Sequence, residues 1–252
     1  MIKPILKYPG AKWRIAPWII SHFPEHVHYV EPYCGSAAVF LSKAPSEHEI
    51  LNDLSGSIVN FFRVVRDHGE ELAWRIAMTP WAEEEYRNCE LSYEEGSDEV
   101  ERARRFLVRC WQAHGVRFRG GKGRQGWKHN GLTGHQYPAL RWRNLPERVL
   151  AVIDRLQGVE IRCQPALNII ADYKDPKCLL YVDPPYPLST RNDRYYEHEM
   201  TDEDHAHLLE LLDKHSGPVV LSGYEHPLYN ARLRHWTRLT APAIAEHGPT
   251  SN

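Results

Sequence analysis

Short apolar runs alternate along the chain with segments in which apolar residues recur at helical spacing. The runs predict strands at 28–30, 49–51, 159–163, 179–182 and 218–222. The helical spacing predicts helices at 15–22, 36–42, 166–173 and 202–215, and further helices at 58–67, 83–88, 98–114 and 146–156. Strands that alternate with helices indicate an α/β fold with a doubly wound parallel sheet, interrupted by a mostly helical insertion.

The composition is that of a globular protein rather than a membrane or secreted one. The chain has 252 residues, of which 42% are hydrophobic and 25% charged, and it contains no apolar stretch long enough to span a bilayer. The first residues, MIKPILKYPGAKW, lack the continuous apolar core of a secretion signal. We therefore expect no membrane partner and a cytoplasmic location, where the separated cysteines stay unpaired thiols.

Histidine is abundant, but its spacing does not favour a metal site. The chain has 15 histidines, and the nearby pairs His26/His28 and His205/His207 have no third and fourth ligand at a helpful distance in the sequence. Zinc and similar ions need such a complete ligand set. We therefore expect surface or core histidines and no bound metal.

Positive charge is concentrated in one part of the chain, although the formal net charge is only −2. Residues 66–101 are rich in acids, whereas residues 102–148 are rich in arginine and lysine. The basic part includes GVRFRGGKGRQGWKHNGLTG, which is too long and too poor in apolar anchors for a simple connector. Such a segment can bind phosphate groups; the alternative is a solvated basic face.

A glycine turn and a well-spaced acid indicate a cofactor that contains a nucleoside. In VEPYCGSAAVF (30–40) a strand ends, small residues make the turn, and a helix follows, so that the backbone at Gly35 can approach a ligand. Asp53 follows the next strand at the distance typical of an acid that accepts hydrogen bonds from ribose. The alternative for Asp53 is a cap of the helix near Ser57.

The segment LLYVDPPY (179–186) places a charge directly after a buried strand. Asp183 falls at the carboxyl end of the strand, where ligands of such sheets bind. Pro184 and Pro185 stiffen the turn, and carboxylate and carbonyl oxygens act only as acceptors. Beside the flat ring of Tyr186 they suit a planar heterocycle with an amino group. The alternative is a turn in which Tyr186 packs on the core.

Four motifs in this order resemble those of the Dam-type DNA adenine methyltransferases, in a phage or prophage branch. They are LKYPGAKW (6–13), VEPYCGSAAVF (30–40), ILNDL (50–54) and LLYVDPPY (179–186), and the blocks 189–209 and 219–236 fit the same family. The resemblance covers most of the chain. It implies a Rossmann-like methyltransferase domain formed by 1–56 and 159–252, with a target-recognition, DNA-binding region inserted at 57–158.

The resemblance also implies S-adenosylmethionine as the cofactor. The positions that match the cofactor site are Tyr8, Gly10, Lys12, Glu31, Pro32, Cys34, Gly35, Asp53 and Asp183. The catalytic motif corresponds to Asp183, Pro184, Pro185 and Tyr186. By this hypothesis Asp183 and the Pro184 carbonyl accept the hydrogens of the 6-amino group of adenine, while the base, flipped out of the duplex, stacks on Tyr186.

Double-stranded DNA is the implied partner. The residues expected to contact it are Arg117, Arg119, Lys122, Arg124, Lys128 and Arg191. Tyr195 and Tyr196 are candidates for the mouth of the catalytic pocket, with core packing as the alternative. We further expect a monomer that acts in a bacterial or phage-infected cell, in restriction–modification, phage protection or host regulation.

Three positions depart from the family pattern. Ala37 stands where glycine is common, Gln164–Pro165 where an acid is common, and the tail 237–244 offers one strand where the fold normally ends in a hairpin. These departures leave open a degenerate DNA-binding relative without activity. A further alternative is an amino methyltransferase that acts on cytosine, RNA or a protein glutamine, because the same acceptor geometry serves those substrates.

Overall fold

The computed structural model describes residues 2–90, 98–114, 126–129, 137–191 and 194–241. Its strands are β1 His28–Glu31, β2 His48–Asn52, β3 Glu160–Arg162, β4 Cys178–Val182 and β5 Val219–Leu221. They form one parallel sheet in the order β3-β2-β1-β4-β5. The predicted α/β class is confirmed, and the predicted strands are found to within two residues at each end.

Helices cover both faces of this sheet. Those within the described ranges are α1 Ala16–Ile20, α2 Ala38–Ser42, α3 Gly56–Met78, α4 Glu83–Glu90, α5 Glu99–Gln112, α6 Pro138–Arg143, α7 Leu145–Leu150, α8 Ile153–Leu156, α9 Ala166–Asp172, α10 Asp202–Asp213 and α11 Pro227–Arg232. None of these helices is both long and apolar enough to cross a membrane.

Alternate residues of the central strands face two different apolar cores. Tyr29 and Leu179 point into the larger core, which they share with residues of α3, α5 and α7. Val30 and Leu180 point into the smaller core with residues of α9 and α10. A parallel sheet covered by helices on both faces needs apolar residues at successive positions, which explains the continuous apolar run of β4. The helices of the predicted insertion therefore pack directly against the sheet.

The long helix α3 contains a break that the sequence pattern only partly predicts. The predicted helix 58–67 ends where His68 leaves helical geometry, with φ −137° and ψ 29°, and a second helical segment continues to Met78. The next residue, Gly69, lies so close to α8 that a Cβ atom there would be 2.7 Å from Ile153. The kink and the missing side chain together allow α8 to pack across α3.

Two local predictions need correction. The helix predicted at 36–42 begins two residues later, at Ala38, and its N-cap residue is Ala37, which has a left-handed backbone with φ 50°. Glycine adopts that conformation without strain, which accounts for the glycine common at this position in the resembling family. The tail was expected to form a strand at 237–244, yet residues 237–241 form no strand. The rest of that segment lies outside the described residues.

Candidate active site

The loops at the carboxyl ends of β1, β2, β3 and β4 enclose a cavity of about 270 Å³ together with the N-terminal segment. Every residue predicted for the cofactor site lines it, namely Tyr8, Gly10, Lys12, Glu31, Pro32, Cys34, Gly35, Asp53 and Asp183. Sequence positions up to 175 residues apart thus meet at one edge of the sheet because parallel strands end at the same side. The cavity is the structure's candidate for a bound nucleotide-like ligand.

Asp53 is tied to the glycine turn instead of capping a helix. Its Oδ2 accepts a hydrogen bond of 2.9 Å from the Gly35 amide, and its Oδ1 accepts one of 2.9 Å from the Ser55 amide. The cap of α3 is Ser55, so the alternative role for Asp53 is wrong. Burial raises the pKa of Asp53 to about 6, although both amides favour the ionised form. The carboxylate therefore fixes the turn beside the cavity.

Gly35 makes a close approach that a side chain would hinder. Its φ is +47°, and a Cβ atom at this position would lie 3.3 Å from the Tyr8 ring. Tyr8 is in turn 6.1 Å from the Tyr196 ring, centroid to centroid. Two aromatic rings and a bare backbone thus form one wall of the cavity, as the glycine turn in the sequence predicts.

Asn52, at the end of β2, is a site residue that the sequence reasoning missed. Its Nδ2 donates to the Pro32 carbonyl at 2.8 Å and to the Gln164 carbonyl at 3.0 Å, and its Oδ1 accepts from the Gln164 amide at 3.0 Å. Asn52 is 1% exposed. A single buried amide therefore joins the loops that follow β1, β2 and β3. Its position in the ILNDL motif is the only signal in the sequence.

Replacing Asn52 with alanine should lower the free energy of unfolding by about 2–4 kcal/mol, because buried backbone groups at Pro32 and Gln164 lose their partners. Urea unfolding followed by circular dichroism measures the change. Asn230, which is exposed on α11 and whose side chain bonds Glu225 and Arg238, provides the control. Equal stability losses in Asn52→Ala and Asn230→Ala would contradict the role given to Asn52.

Glu31 is a buried acid in the wall of the cavity. It is 2% exposed, and its Oε1 accepts hydrogen bonds from the Tyr29 hydroxyl at 2.6 Å and from the Phe40 amide at 2.7 Å. Burial raises the pKa of Glu31 to about 8 in spite of these donors, and the charge of Asp183 raises it further. A positive group that binds beside Glu31 would therefore favour the ionised form of its carboxyl group.

Asp183 lies at the same cavity, at the end of β4, in contact with Lys12. The Lys12 ammonium is 2.6 Å from Asp183 Oδ2, and the side chains are 11% and 17% exposed. Asp183 Oδ1 is buried and has no hydrogen-bond partner among the described residues. Burial raises the pKa of Asp183, while Lys12 and the nearby Tyr186 hydroxyl act in the opposite direction. One buried acceptor atom is thus left for a ligand.

The remaining residues of the DPPY motif frame this acceptor. Pro185 lines the cavity, and Pro184 is buried next to it. The Tyr186 ring lies 4.7 Å from the Tyr224 ring at an interplanar angle of 68°, and 5.1 Å from the Lys12 ammonium. Tyr224 follows β5 and is 51% exposed, and it is a second residue that the sequence reasoning did not identify. The carboxylate and an aromatic surface therefore lie together, as predicted.

The segment 194–200 closes one side of the cavity. Tyr196 lines it, and its hydroxyl lies so close to Gly10 that a Cβ atom there would be 2.6 Å away. The same segment is held by Glu199, whose carboxylate accepts from the backbone amides of Tyr195 and Tyr196. The prediction that Tyr196 borders the pocket is confirmed.

The predicted DNA contacts are placed only in part. Arg117, Arg119, Lys122 and Arg124 lie outside the described residues, so their role stays a prediction. The Arg191 guanidinium is paired with Glu199, and its side chain is only 6% exposed. Arg191 thus supports the segment that borders the cavity, while its predicted DNA contact stays untested.

Lys128 belongs to a cluster of cations next to the N-terminal motif. Lys7 lies with its ammonium 4.3 Å from the Trp111 ring, and the Arg148 guanidinium is 5.5 Å from the same ring. Burial lowers the pKa of Lys7 to about 8, and the charges of Lys128, Arg141 and Arg148 lower it further. Positive charges from distant parts of the sequence therefore converge there, whereas Arg104 and Arg105 of the basic segment are paired with Glu101.

Metal ligands do not gather anywhere in the described part of the chain: it contains no group of three or more histidine, cysteine or acidic residues that could hold an ion. His205, one of the histidines considered from the sequence, is buried and bonds through Nδ1 to the Tyr229 hydroxyl at 3.0 Å. His205 is thus a core histidine, one of the two placements expected from the sequence.

The parallel sheet, with the glycine turn, Asp53 and the DPPY turn around one cavity at its carboxyl edge, agrees with the class of methyltransferases that the motifs resemble. Comparison with known proteins gives the family. The model of the D12 class N6 adenine-specific DNA methyltransferases matches residues 8–240, and the chain belongs to this family. It is therefore an enzyme that methylates adenine in DNA.

Similar proteins of known name cover nearly the whole chain. A type II methyltransferase of Lactococcus lactis subsp. cremoris is 27% identical over 246 residues, which is 90% of this chain and 83% of the relative. A type II methyltransferase of Methanocaldococcus jannaschii is 24% identical, with 88% and 84% covered. The retron Ec67 DNA adenine methylase of Escherichia coli is 23% identical, with 92% and 81% covered.

Proposed function

We propose that S-adenosylmethionine is the methyl donor and that it binds in the cavity between the glycine turn and Asp183. The residues present suit it, because Asp53 and Glu31 are buried acids at the wall and the methionine part carries positive charge. In this proposal Asp53 accepts from the ribose hydroxyls, and Glu31 faces the ammonium or sulfonium end. When bound, the donor would supply an electrophilic methyl group: the carbon–sulfur bond would break with its electron pair left on sulfur, the bond to N6 would form, and the amine would release one proton to solvent water.

The target adenine is held by the DPPY turn. Asp183 Oδ1, the buried acceptor without a partner, is the single observation that carries this assignment. It accepts one amine hydrogen, and the Pro184 carbonyl accepts the other, so that the nitrogen lone pair is aimed away from both acceptors. Holding the reacting atoms in line at ~3–3.5 Å supplies much of the rate acceleration. The negative charge of Asp183 also offsets the positive charge that develops on the amine.

The adenine must leave the duplex to reach this turn. Flipping a base costs a few kcal/mol, and stacking on an aromatic ring returns about 1–3 kcal/mol. We assign that role to Tyr186, and its closeness to Asp183 in the sequence and its contacts with Lys12 and Tyr224 support the assignment. Catalysis by this chain therefore combines a buried acceptor with an aromatic platform.

In this proposal the region 57–158 binds DNA. Residues 1–56 and 159–252 form the catalytic domain. The cation cluster of Lys7, Lys128, Arg141 and Arg148 supports this division, because it lies beside the N-terminal motif of the catalytic domain. Arg117, Arg119, Lys122 and Arg124 extend the same basic surface in the sequence. We infer that the enzyme acts as a monomer, within a defined DNA sequence as type II methyltransferases do, in the cytoplasm of a bacterial or phage-infected cell.

Reversing the charge of Lys128 and Arg141 should reduce the salt dependence of DNA binding. Each lost phosphate contact lowers the slope of log Kd against log salt by about 0.9. The slope of the Lys128→Glu/Arg141→Glu double variant should therefore be lower by about 2. Fluorescence anisotropy with a labelled duplex at several salt concentrations measures it. Lys214→Glu, at the exposed residue that follows α10, is the control. An unchanged slope in the double variant would place DNA elsewhere.

Mass spectrometry of nucleosides tests the function directly. The purified chain is incubated with duplex DNA and S-adenosylmethionine carrying a carbon-13 methyl group, and the DNA is hydrolysed. Carbon-13-labelled N6-methyl-2′-deoxyadenosine is the expected product. Label on cytosine, or label found only when RNA or protein replaces DNA, would favour the alternative substrates, and absence of transfer would favour a degenerate relative.

A further inference from the structure

Lys12 makes its principal contact with the catalytic carboxylate, although its sequence motif suggests a cofactor contact. The ammonium is 2.6 Å from Asp183 Oδ2 and 2.5 Å from the Gly10 carbonyl. It also lies 5.1 Å from the centre of the Tyr186 ring. Two acceptors and one aromatic face therefore determine where the N–H groups of the Lys12 ammonium point.

The backbone of Lys12 is fixed as firmly as its ammonium. The Lys12 carbonyl accepts hydrogen bonds from the amides of Ile15 and Ala16 at 3.0 and 2.7 Å, which start α1. Gly10, two residues earlier, has a left-handed φ of 71° and lies under the Tyr196 hydroxyl. Lys12 is thus held between a helix start and a tight turn, and its side chain is only 11% exposed. This placement suits a group that orients another.

We propose that Lys12 is a positioning residue for the methylated base: it occupies Asp183 Oδ2 and thereby presents Oδ1 alone to the 6-amino group of adenine. This inference rests on the proposed function. A carboxylate that rotates freely would offer either oxygen in several directions. With Oδ2 held by Lys12, the buried Oδ1 is the oxygen of Asp183 that is left to accept from the amine.

The charge of Lys12 serves the same end. Asp183 and Glu31 line one cavity, and the charge of Asp183 makes ionisation of the buried Glu31 less favourable. Burial raises the pKa of Asp183, and Lys12 opposes this effect more than any other neighbour. A protonated Asp183 would donate a hydrogen bond where the amine needs an acceptor. Lys12 therefore keeps the acceptor ionised as well as oriented.

The variant Lys12→Met removes the charge and keeps an unbranched side chain of similar reach. We expect turnover at pH 7 to fall by about 10²-fold, as for a misplaced catalytic group. The fall should be smaller at higher pH, because activity is lost as the pH drops through the raised pKa of Asp183. Lys12→Arg, which retains a positive charge, should leave the acid limb of the pH profile near its normal place. Lys214→Met, at the exposed residue that follows α10, is the matched control and should behave as the unmodified enzyme.

A second readout does not depend on catalysis. Carbon-13 NMR of the aspartate carboxyl groups follows the titration of Asp183, identified by the signal absent from Asp183→Ala. Lys12→Met should titrate at higher pH than the unmodified protein, and Lys12→Arg should not. An unchanged carboxyl titration in Lys12→Met, or a loss that affects only cofactor affinity measured by calorimetry, would overturn the inference.

The two experiments separate the inference from the function on which it rests. If the unmodified enzyme gives no labelled N6-methyladenine, the proposed function fails, while the carboxyl titration still decides whether Lys12 controls Asp183. If the unmodified enzyme methylates adenine and Lys12→Met has a normal pH profile, the function stands and the role of Lys12 is wrong.

Discussion

Replacing Asp183 with alanine should abolish methyl transfer, with turnover lower by about 10³-fold or more, the size of loss seen when a buried charge-stabilising group is removed. The physical reason is that Asp183 carries the one buried acceptor at the cavity that is without a partner among the described residues. Binding of S-adenosylmethionine should largely survive, because Asp53, Glu31 and the glycine turn remain in place. Transfer of labelled methyl groups to duplex DNA measures turnover, and calorimetry measures cofactor binding.

The control for Asp183→Ala is Asp154→Ala, which removes the same charge from an exposed position on α8. That variant should keep its activity. Circular dichroism establishes whether Asp183→Ala is folded. Near-normal turnover in a folded Asp183→Ala would refute the assignment of the acceptor, and a complete loss of cofactor binding would give Asp183 a role mainly in holding the donor.

The second large effect is expected at Tyr186. Tyr186→Ala should lower kcat/KM for duplex DNA by about 10–100-fold, the equivalent of the ~1–3 kcal/mol that a base gains by stacking on an aromatic ring. Tyr186→Phe should retain much of the activity, because the ring face matters more than the hydroxyl. Fluorescence of 2-aminopurine at the target position reports directly on the extruded base and should fall in Tyr186→Ala.

Tyr173→Ala provides the comparison for Tyr186→Ala. Tyr173 follows the end of α9 that is remote from the cavity, and its hydroxyl bonds Glu160. Its loss should cost some stability and little activity. If Tyr186→Phe were as inactive as Tyr186→Ala, the hydroxyl rather than the ring would be the essential part. The Tyr186 hydroxyl lies near Asp183, so that result would assign it to the control of the carboxylate.

The sequence predicts the sheet and the site because both depend on local patterns. Short apolar runs mark the strands, and the residues that follow them, Gly35, Asp53 and Asp183, meet because parallel strands end at one edge. The helix α3 was predicted only to 67 because the kink at His68 interrupts its periodicity. The left-handed Ala37 was missed because alanine gives no local signal for that conformation.

Contacts between distant segments are what the sequence does not reveal. Lys12 and Asp183 are 171 residues apart, and their pairing depends on how the N-terminal loop crosses the sheet edge. Asn52 and Gln164 are 112 residues apart, and a lone asparagine at the end of a strand suggests no such link. The cation cluster around Trp111 likewise combines Lys7 with Arg148. No periodicity or motif records which charges a fold brings together.

The larger apolar core bears on how new DNA specificities arise in this family. Phe61 and Leu107, from the stretch assigned to target recognition, are fully buried in the same core as Tyr29 and Leu179 of the sheet. A chimera that takes the whole of 57–158 from a distant relative would combine core side chains that have not been selected to pack together. We expect such a chimera to be unstable. A new DNA specificity should therefore arise through substitutions outside this core, not through exchange of the whole region.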